Sequence, residues 1–267
     1  MKIRLTLTFL FFLLFAGGQV QAGAAAGRPP VNPGSISQLF SRDPFINLNT
    51  AGSEFYLSED EKLLIALCNL ARWDGEAFIR EVLVPSGKDT SSTAVKNLTA
   101  KLKTCRRIAP LMPAYSLHKT ALSHARDMGF KGDSGHTGSD GLSFQQRISR
   151  YFPNHAGFAE NFHLGSGDPT EIVLAFLSAG GDKQVYSDNI LSPGLHYIGV
   201  SIQPHRNSCS DAVIDFARKP ESIPGSVSSG QKRKRTEAYF MDCPDGSQYK
   251  NRKKSHFSFR GLFSRRK

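Results

Sequence analysis

Cysteine is scarce in this chain: Cys68, Cys105, Cys209 and Cys243 are the only four among 267 residues. None stands in a CxxC pair, so the grouping of a zinc knuckle is excluded. A GxSxG elbow and an HExxH helix are also missing, and no residue is thereby singled out as an activated nucleophile or as the base of a zinc protease. There is a single tryptophan, Trp73, which reads as a packing residue rather than a ligand platform. No internal repeat and no sustained heptad occur. Beyond the N-terminal segment no apolar run is long enough to span a membrane.

Acidic residues are the minority charge, with 23 against 34 Lys and Arg, for a net charge of +11. The excess is localised. Residues 231–267 hold twelve basic and three acidic residues, and Lys2 and Arg4 add two more charges near the start, which leaves residues 23–230 balanced. The basic character therefore belongs to a tail, where it favours an anionic membrane or envelope polymer and identifies no specific nucleic-acid target.

Lys2 and Arg4 precede the apolar run LTLTFLFFLLFAG, and VQA places small residues before a cleavage point after Ala22. Residues 1–22 are expected to be a signal peptide, which makes the mature chain secreted or periplasmic, with no transmembrane span. In that compartment four cysteines permit two disulfides in three pairings, and proximity favours Cys68 with Cys105 and Cys209 with Cys243. Residues 23–57 read as an N-terminal extension, 58–219 as one domain, and 220–267 as a linker followed by the basic tail.

Within the domain, Ser58 and Glu61 form a capping box ahead of a helix with an apolar stripe from Leu63 to Ala71. A short basic helix is expected over 95–103, and a longer one over 116–128, where Leu117, Ala121, Leu122, Ala125 and Met128 share a face. Gly129, Gly132, Gly135, Gly138 and Gly141 then make a turning corner that carries His136. A short helix follows at 144–151, in which Arg147 is expected to pair with a carboxylate or a carbonyl. The stretch from Gly157 to Leu164 alternates as a strand. It places Phe158, Glu160, Phe162 and Leu164 on one side and Ala159, Asn161 and His163 on the other. A carboxylate beside two phenylalanines needs a partner, because an unpaired buried charge is costly. Asp168, Pro169 and Glu171 open another helix, with Glu171 assigned to capping. Two further strands follow, with Ile198, Val200 and Ile202 alternating on one and Ala212, Ile214 and Phe216 on the other.

The ordered run HARDMG, GHTGSDG, Arg147, AEN, NILSPG and YIGVSI resembles the bacterial branch of the CAP superfamily, which comprises cysteine-rich secretory proteins, antigen 5 and pathogenesis-related 1 proteins. The likeness covers residues 58 to 218. It implies an α+β fold, an α-β-α sandwich around a central antiparallel sheet. It also implies a cleft of two histidines and two acids, in which His136 matches the first histidine and Glu160 the acid of the strand motif. The second histidine is replaced by Tyr186 in YSDNIL. Asp182 is the acid nearest to the remaining position. At the first helix, Asn69 and Arg72 match an N-x-x-R pair that ties helix to loop.

These readings place a cleft wall at His136, Glu160, Tyr186 and Asp182. The leading expectation is an exported, non-enzymatic binding module that recognises a lipid, an envelope polymer or a protein. The alternative is a metal-dependent or acid–base hydrolase using His136 and Glu160, with zinc disfavoured because the second cleft histidine is missing and two ligands fall short of a stable centre.

Overall fold

In a computed structural model the described residues are 46–151, 157–218, 240–242 and 248–250. The expected signal peptide, Cys243 and most of the basic tail lie outside them. Four strands make the central sheet. Strand β1 is Met112–Pro113, β2 Phe158–Gly165, β3 Tyr197–Pro204 and β4 Ser210–Ala217, in the order β1-β3-β4-β2. The β3–β4 and β2–β4 pairs are antiparallel, as expected, whereas the two-residue β1 pairs parallel to β3. The sheet is thus mixed rather than purely antiparallel. A separate pair, β5 (Phe240–Asp242) and β6 (Gln248–Lys250), is antiparallel.

Among the described residues seven α-helices flank the sheet, and the ones that matter here are placed by local signals. Helix α1 (Glu59–Trp73) begins with the expected capping box between Ser58 and Glu61. Helix α2 (Gly75–Phe78) continues into a π-helical turn, and α3 is Thr93–Thr104. Helix α4 (Tyr115–Lys131) ends at Gly132, whose φ of 77° is a left-handed cap open to glycine. Helix α5 (Phe144–Ser149) starts with a second capping box, Ser143 with Gln146. Helix α6 (Pro169–Ser178) is capped by Asp168, which accepts from the amides of Thr170 and Glu171, so Glu171 adds only its first-turn charge. Helix α7 (Gln184–Ile190) carries Tyr186.

The alternation of β2, β3 and β4 divides these helices into two layers. Ala159, Ile198, Val200, Ile202, Ala212, Ile214 and Phe216 belong to the main core with Leu64, Leu67, Phe78, Leu102, Phe176 and Ile190 of the flanking helices. Leu48, Ala51, Tyr56 and Leu57 are buried in the same core, so packing begins before the capping serine. Helix α4 covers the opposite face through two small clusters, Leu117 with Ala217 and Ala121, Ala125 and Met128 with Val213. The result is an α+β fold with helices on both faces of the sheet, consistent with the CAP-like sandwich.

Helix α4 lies very close to the sheet. A β-carbon on Gly199 would stand 2.1 Å from the carbonyl carbon of Leu117 and 2.2 Å from the amide of His118. Only a glycine lets the helix backbone settle there.

The free edge of β3 is sealed by side chains. After β1 ends, the Val200 carbonyl is met by His118 Nδ1 at 2.7 Å, and the Ile202 amide donates to Glu61 Oε1 at 3.1 Å. Glu61 Oε2 meanwhile accepts from the Ser58 amide. One carboxylate therefore closes both a helix end and a sheet edge.

The paired residues at α1 act as ties. Asn69 bonds Leu111 through both its oxygen and its amide group. The fully buried Arg72 donates to four carbonyls, those of Ala109, Ile190, Ser192 and Leu195, at 2.6–2.9 Å. Two of these close the C-terminal end of α7, where a cation also meets the negative end of the helix dipole.

The expected bridge between Cys68 and Cys105 is not formed. Both are buried free thiols, and no disulfide joins two described cysteines. Burial pushes the Cys68 thiol up to about 12, so the thiolate that initiates exchange is withheld. Among the described residues, no helix is long and apolar enough to cross a membrane.

Three substitutions test this frame. Glu61→Ala orphans the buried Ile202 amide and removes a cap, and is expected to cost about 2–4 kcal/mol in urea unfolding. Glu59→Ala in the same turn, losing only an exposed pair with Lys62, should change stability by less than about 1 kcal/mol. Gly199→Ala, which drives a methyl into helix backbone, should cost about 3 kcal/mol or more by the same measurement.

Candidate functional site

The glycine corner is built so that His136 reaches the sheet. Asp127, near the end of α4, accepts from the Ser139 amide at 2.6 Å and from its hydroxyl at 2.5 Å. Arg147 of α5 donates to the carbonyls of His136 (2.7 Å) and Leu142 (3.0 Å), pulling both sides of the corner inward. Its other terminal nitrogen donates to Glu160 Oε2 at 2.7 Å. Arg147 thus meets both expectations for it, a carboxylate and carbonyls at once.

Glu160 is the centre of the arrangement. Its side chain is 1% exposed, and its second oxygen, Oε1, accepts from His136 Nδ1 at 2.7 Å. His136 itself is 46% exposed in its side chain, so a buried carboxylate orients a ring that solvent can reach. In the neutral ring with its proton on Nδ1, toward the carboxylate, Nε2 keeps a lone pair, and the Tyr186 hydroxyl 3.3 Å away is placed to donate to it. Burial raises Tyr186 above the ordinary phenol range, and the Glu160 charge raises it further, so the hydroxyl stays protonated.

Aromatic rings wall this point. Phe162 lies edge-on to His136 with centroids 5.0 Å apart, and Tyr186 touches Phe162 on one side and Phe176 on the other. Lys183 Nζ sits 5.7 Å from the Phe162 ring centroid. Asn161, the last residue of the AEN motif, fixes the position of Tyr186. It donates to the Tyr186 carbonyl at 2.9 Å and accepts from Asn189 at 2.8 Å.

Three of the four cleft residues read from the sequence therefore meet, His136, Glu160 and Tyr186. Asp182 does not join them. It lies in an exposed 3-10 turn, Gly181–Lys183. His163 is on the far face of β2 against Phe176, and His205 serves a loop by bonding the Asp133 carbonyl.

In the layer beneath, His124, one turn before Met128, is expected from the sequence at the cleft edge in a structural role, whereas Thr120 and Asp215 are not read from it. Thr120 and His124 of α4 and Asp215 of β4 are all buried behind Glu160. Asp215 is the direct cross-strand partner of Glu160, so two carboxyls stand side by side. His124 Nε2 bonds the Gly135 carbonyl at 2.8 Å and lies 3.9 Å from Glu160 Oε1. Burial pulls His124 below the ordinary imidazole range, which leaves it neutral. The available signal for Thr120 was its place four residues before His124 on the same helix face.

A zinc ion does not fit these donors. His136 Nδ1 and both Glu160 oxygens are spent on one another and on Arg147, whose positive charge already balances the carboxylate. The remaining lone pair faces a phenol that stays protonated. Among the described residues no group of three or more His, Cys, Asp or Glu could hold a metal. What the arrangement can do is present one rigid, correctly tautomerised imidazole at an aromatic opening.

No family model matches the chain, and no curated protein matches it. Among solved structures it is similar to an extracellular protein containing a SCP domain from Bacillus anthracis str. Ames, at 17% identity and a TM-score of 0.36, over 42% of this chain and 35% of that one. It is similar to an outer surface protein from Borrelia burgdorferi, at 20% identity and a TM-score of 0.38, over 49% of this chain and 96% of that one. A cysteine-rich secretory protein from Staphylococcus aureus is similar at 12% identity and a TM-score of 0.38, over 61% of this chain and 40% of that one. The chain thus spans about a third of the first of these proteins.

Proposed function

We propose that this chain is an exported CAP-like binding module that works without a metal and without turnover. The carrying observation is the 2.7 Å contact between the buried Glu160 and the half-exposed His136. It holds an imidazole in one orientation and one tautomer at the surface, which is what recognition of a polar group requires. Phe162 and Tyr186 supply the apolar wall for the rest of the ligand, and Lys183 at the rim favours a negative charge. A lipid with an anionic head or an envelope polymer meets both needs. The basic stretch 231–267 adds a second, electrostatic attachment to the same anionic surroundings. The hydrolase reading is less well supported, because the described side chains around His136 offer it a neutral tyrosine and no activated nucleophile.

Three measurements test the proposal. Titration of the purified chain with lysophosphatidylglycerol, followed by NMR, should shift the signals of His136, Phe162, Tyr186 and Lys183, and His136→Ala should weaken this binding by about tenfold, the loss of one polar contact. Unperturbed signals at these four residues would reject the cleft. Calorimetric titration with zinc chloride should show no binding at micromolar concentration. Stoichiometric uptake lost in Glu160→Gln would overturn the metal-free reading. Binding to vesicles containing phosphatidylglycerol should weaken with added salt and on deletion of 231–267; salt-insensitive binding that survives the deletion would remove the tail from the account.

A further inference from the structure

The face of the sheet beneath α4 is unusual for a helix–sheet interface because it holds acids. Asp211 and Asp215 both project from β4 toward α4, on either side of Val213, and both are buried, at 0% and 1% exposure. By strict hydrogen-bond geometry both oxygens of Asp211 and Oδ1 of Asp215 have no partner among the described residues; looser contacts reach Asp211 from the Gln203 amide and Asp215 from the neighbouring Glu160 carboxyl. A buried carboxylate left in that condition is far costlier than a buried carboxylic acid.

The surroundings of each acid point the same way. Asp211 forms no ion pair among the described residues, and it faces the backbone of Gly129 in α4, the backbone of Gln203 in β3 and Leu164 across the ladder in β2. Around Asp215 stand Glu160 on β2, Gly199 on β3, Thr120 on α4 and Arg147 on α5, with the neutral His124 of α4 next to Glu160. The single cation there, Arg147, is already bonded to Glu160. Thr120 Oγ1 lies within hydrogen-bonding distance of both the Leu117 carbonyl and Asp215 Oδ2. A hydroxyl has one proton to give. Thr120 therefore donates either to Asp215 or to the Leu117 carbonyl, and in the second arrangement the bond to Asp215 is completed only by a proton on the acid.

We propose that Asp211 and Asp215 are carried as uncharged acids between β4 and α4, and that loss of their protons releases α4 from the sheet, making the helix an alkaline-sensitive latch. The latch is independent of what the cleft binds, but it governs the cleft. Helix α4 runs directly into the glycine corner, and Asp127 on its last turns holds Ser139 of that corner. Release of the helix therefore takes His136 away from Glu160. Burial supports the assignment by pushing Asp211 up to about 8, and burial with the Glu160 charge holds Asp215 well above the carboxylate range. The sign follows. Each acid binds a proton in the docked state that it gives up when exposed above about pH 4, so docking is strongest in acid and weakens as pH rises through the docked-state value.

Hydrogen exchange on the full mature chain tests this. Between pH 5.5 and 7.5, protection of α4 amides, corrected for intrinsic rates, should fall by about tenfold per pH unit for each acid that releases its proton. Amides of α1, on the other face, should fall less. In Asp211→Asn with Asp215→Asn the α4 loss should disappear. Equal losses in α1 and α4, or no loss, would overturn the latch. Should the double variant not fold, carbon-13 NMR of the wild-type aspartate carboxyls decides. Two carboxyls still protonated at pH 7 support the latch, and titration of all of them in the ordinary range refutes it.

Discussion

Everything at the cleft depends on one guanidinium. Arg147 neutralises Glu160 inside the protein and at the same moment draws in the carbonyls of His136 and Leu142. Without it, a carboxylate would be buried beside Phe162 with only an imidazole for company, a state that costs several kcal/mol. With it, the charge is balanced and the loop is folded over the charge. The imidazole then adds a hydrogen bond and needs no charge of its own. The orientation of His136 is thus a by-product of charge neutralisation deeper in the protein.

The two faces of the sheet are stabilised differently. On one, aliphatic and aromatic side chains interlock with α1, α6 and α7, and Arg72 ties the end of α7 through carbonyls alone. Burial lowers that guanidinium only to about 10, so it stays charged in any neutral medium. On the other face, apolar contact is confined to small clusters, and acids and hydroxyls fill the remainder. The first face is a scaffold whose interactions are indifferent to pH. The second depends on where protons reside, and it is the one connected to the glycine corner.

Much of this was legible in the sequence, for identifiable reasons. The capping box at Ser58, the Asp168 cap and the period-two strands rest on local rules, and they appear where those rules put them. Glu160 on the side of Phe158 and Phe162 signalled a buried charge in need of a partner, and His136 and Arg147 are the partners. Other features depend on contacts between residues far apart in the chain. Nothing local tells that Asp215 will stand opposite Glu160, since that is set by the register of two strands more than fifty residues apart. The two-residue β1, too short to show a period, escaped notice. Cys68 and Cys105 invited a bridge on proximity in sequence, whereas the fold buries both as thiols. Asp182 was drawn into the cleft by closeness to Tyr186, but the intervening turn faces it outward.

The closure of the β3 edge has a consequence for how such a chain reaches its native state. The residue that seals the Ile202 amide comes from α1 and the one that seals the Val200 carbonyl comes from α4, helices on opposite faces. Neither layer alone completes the seal. Until both have docked, a nascent sheet offers open ladder positions to any other extended chain nearby, so half-assembled molecules are the ones at risk of mispairing. Slow assembly would lengthen the interval of exposure, and the early capping box that starts α1 shortens it.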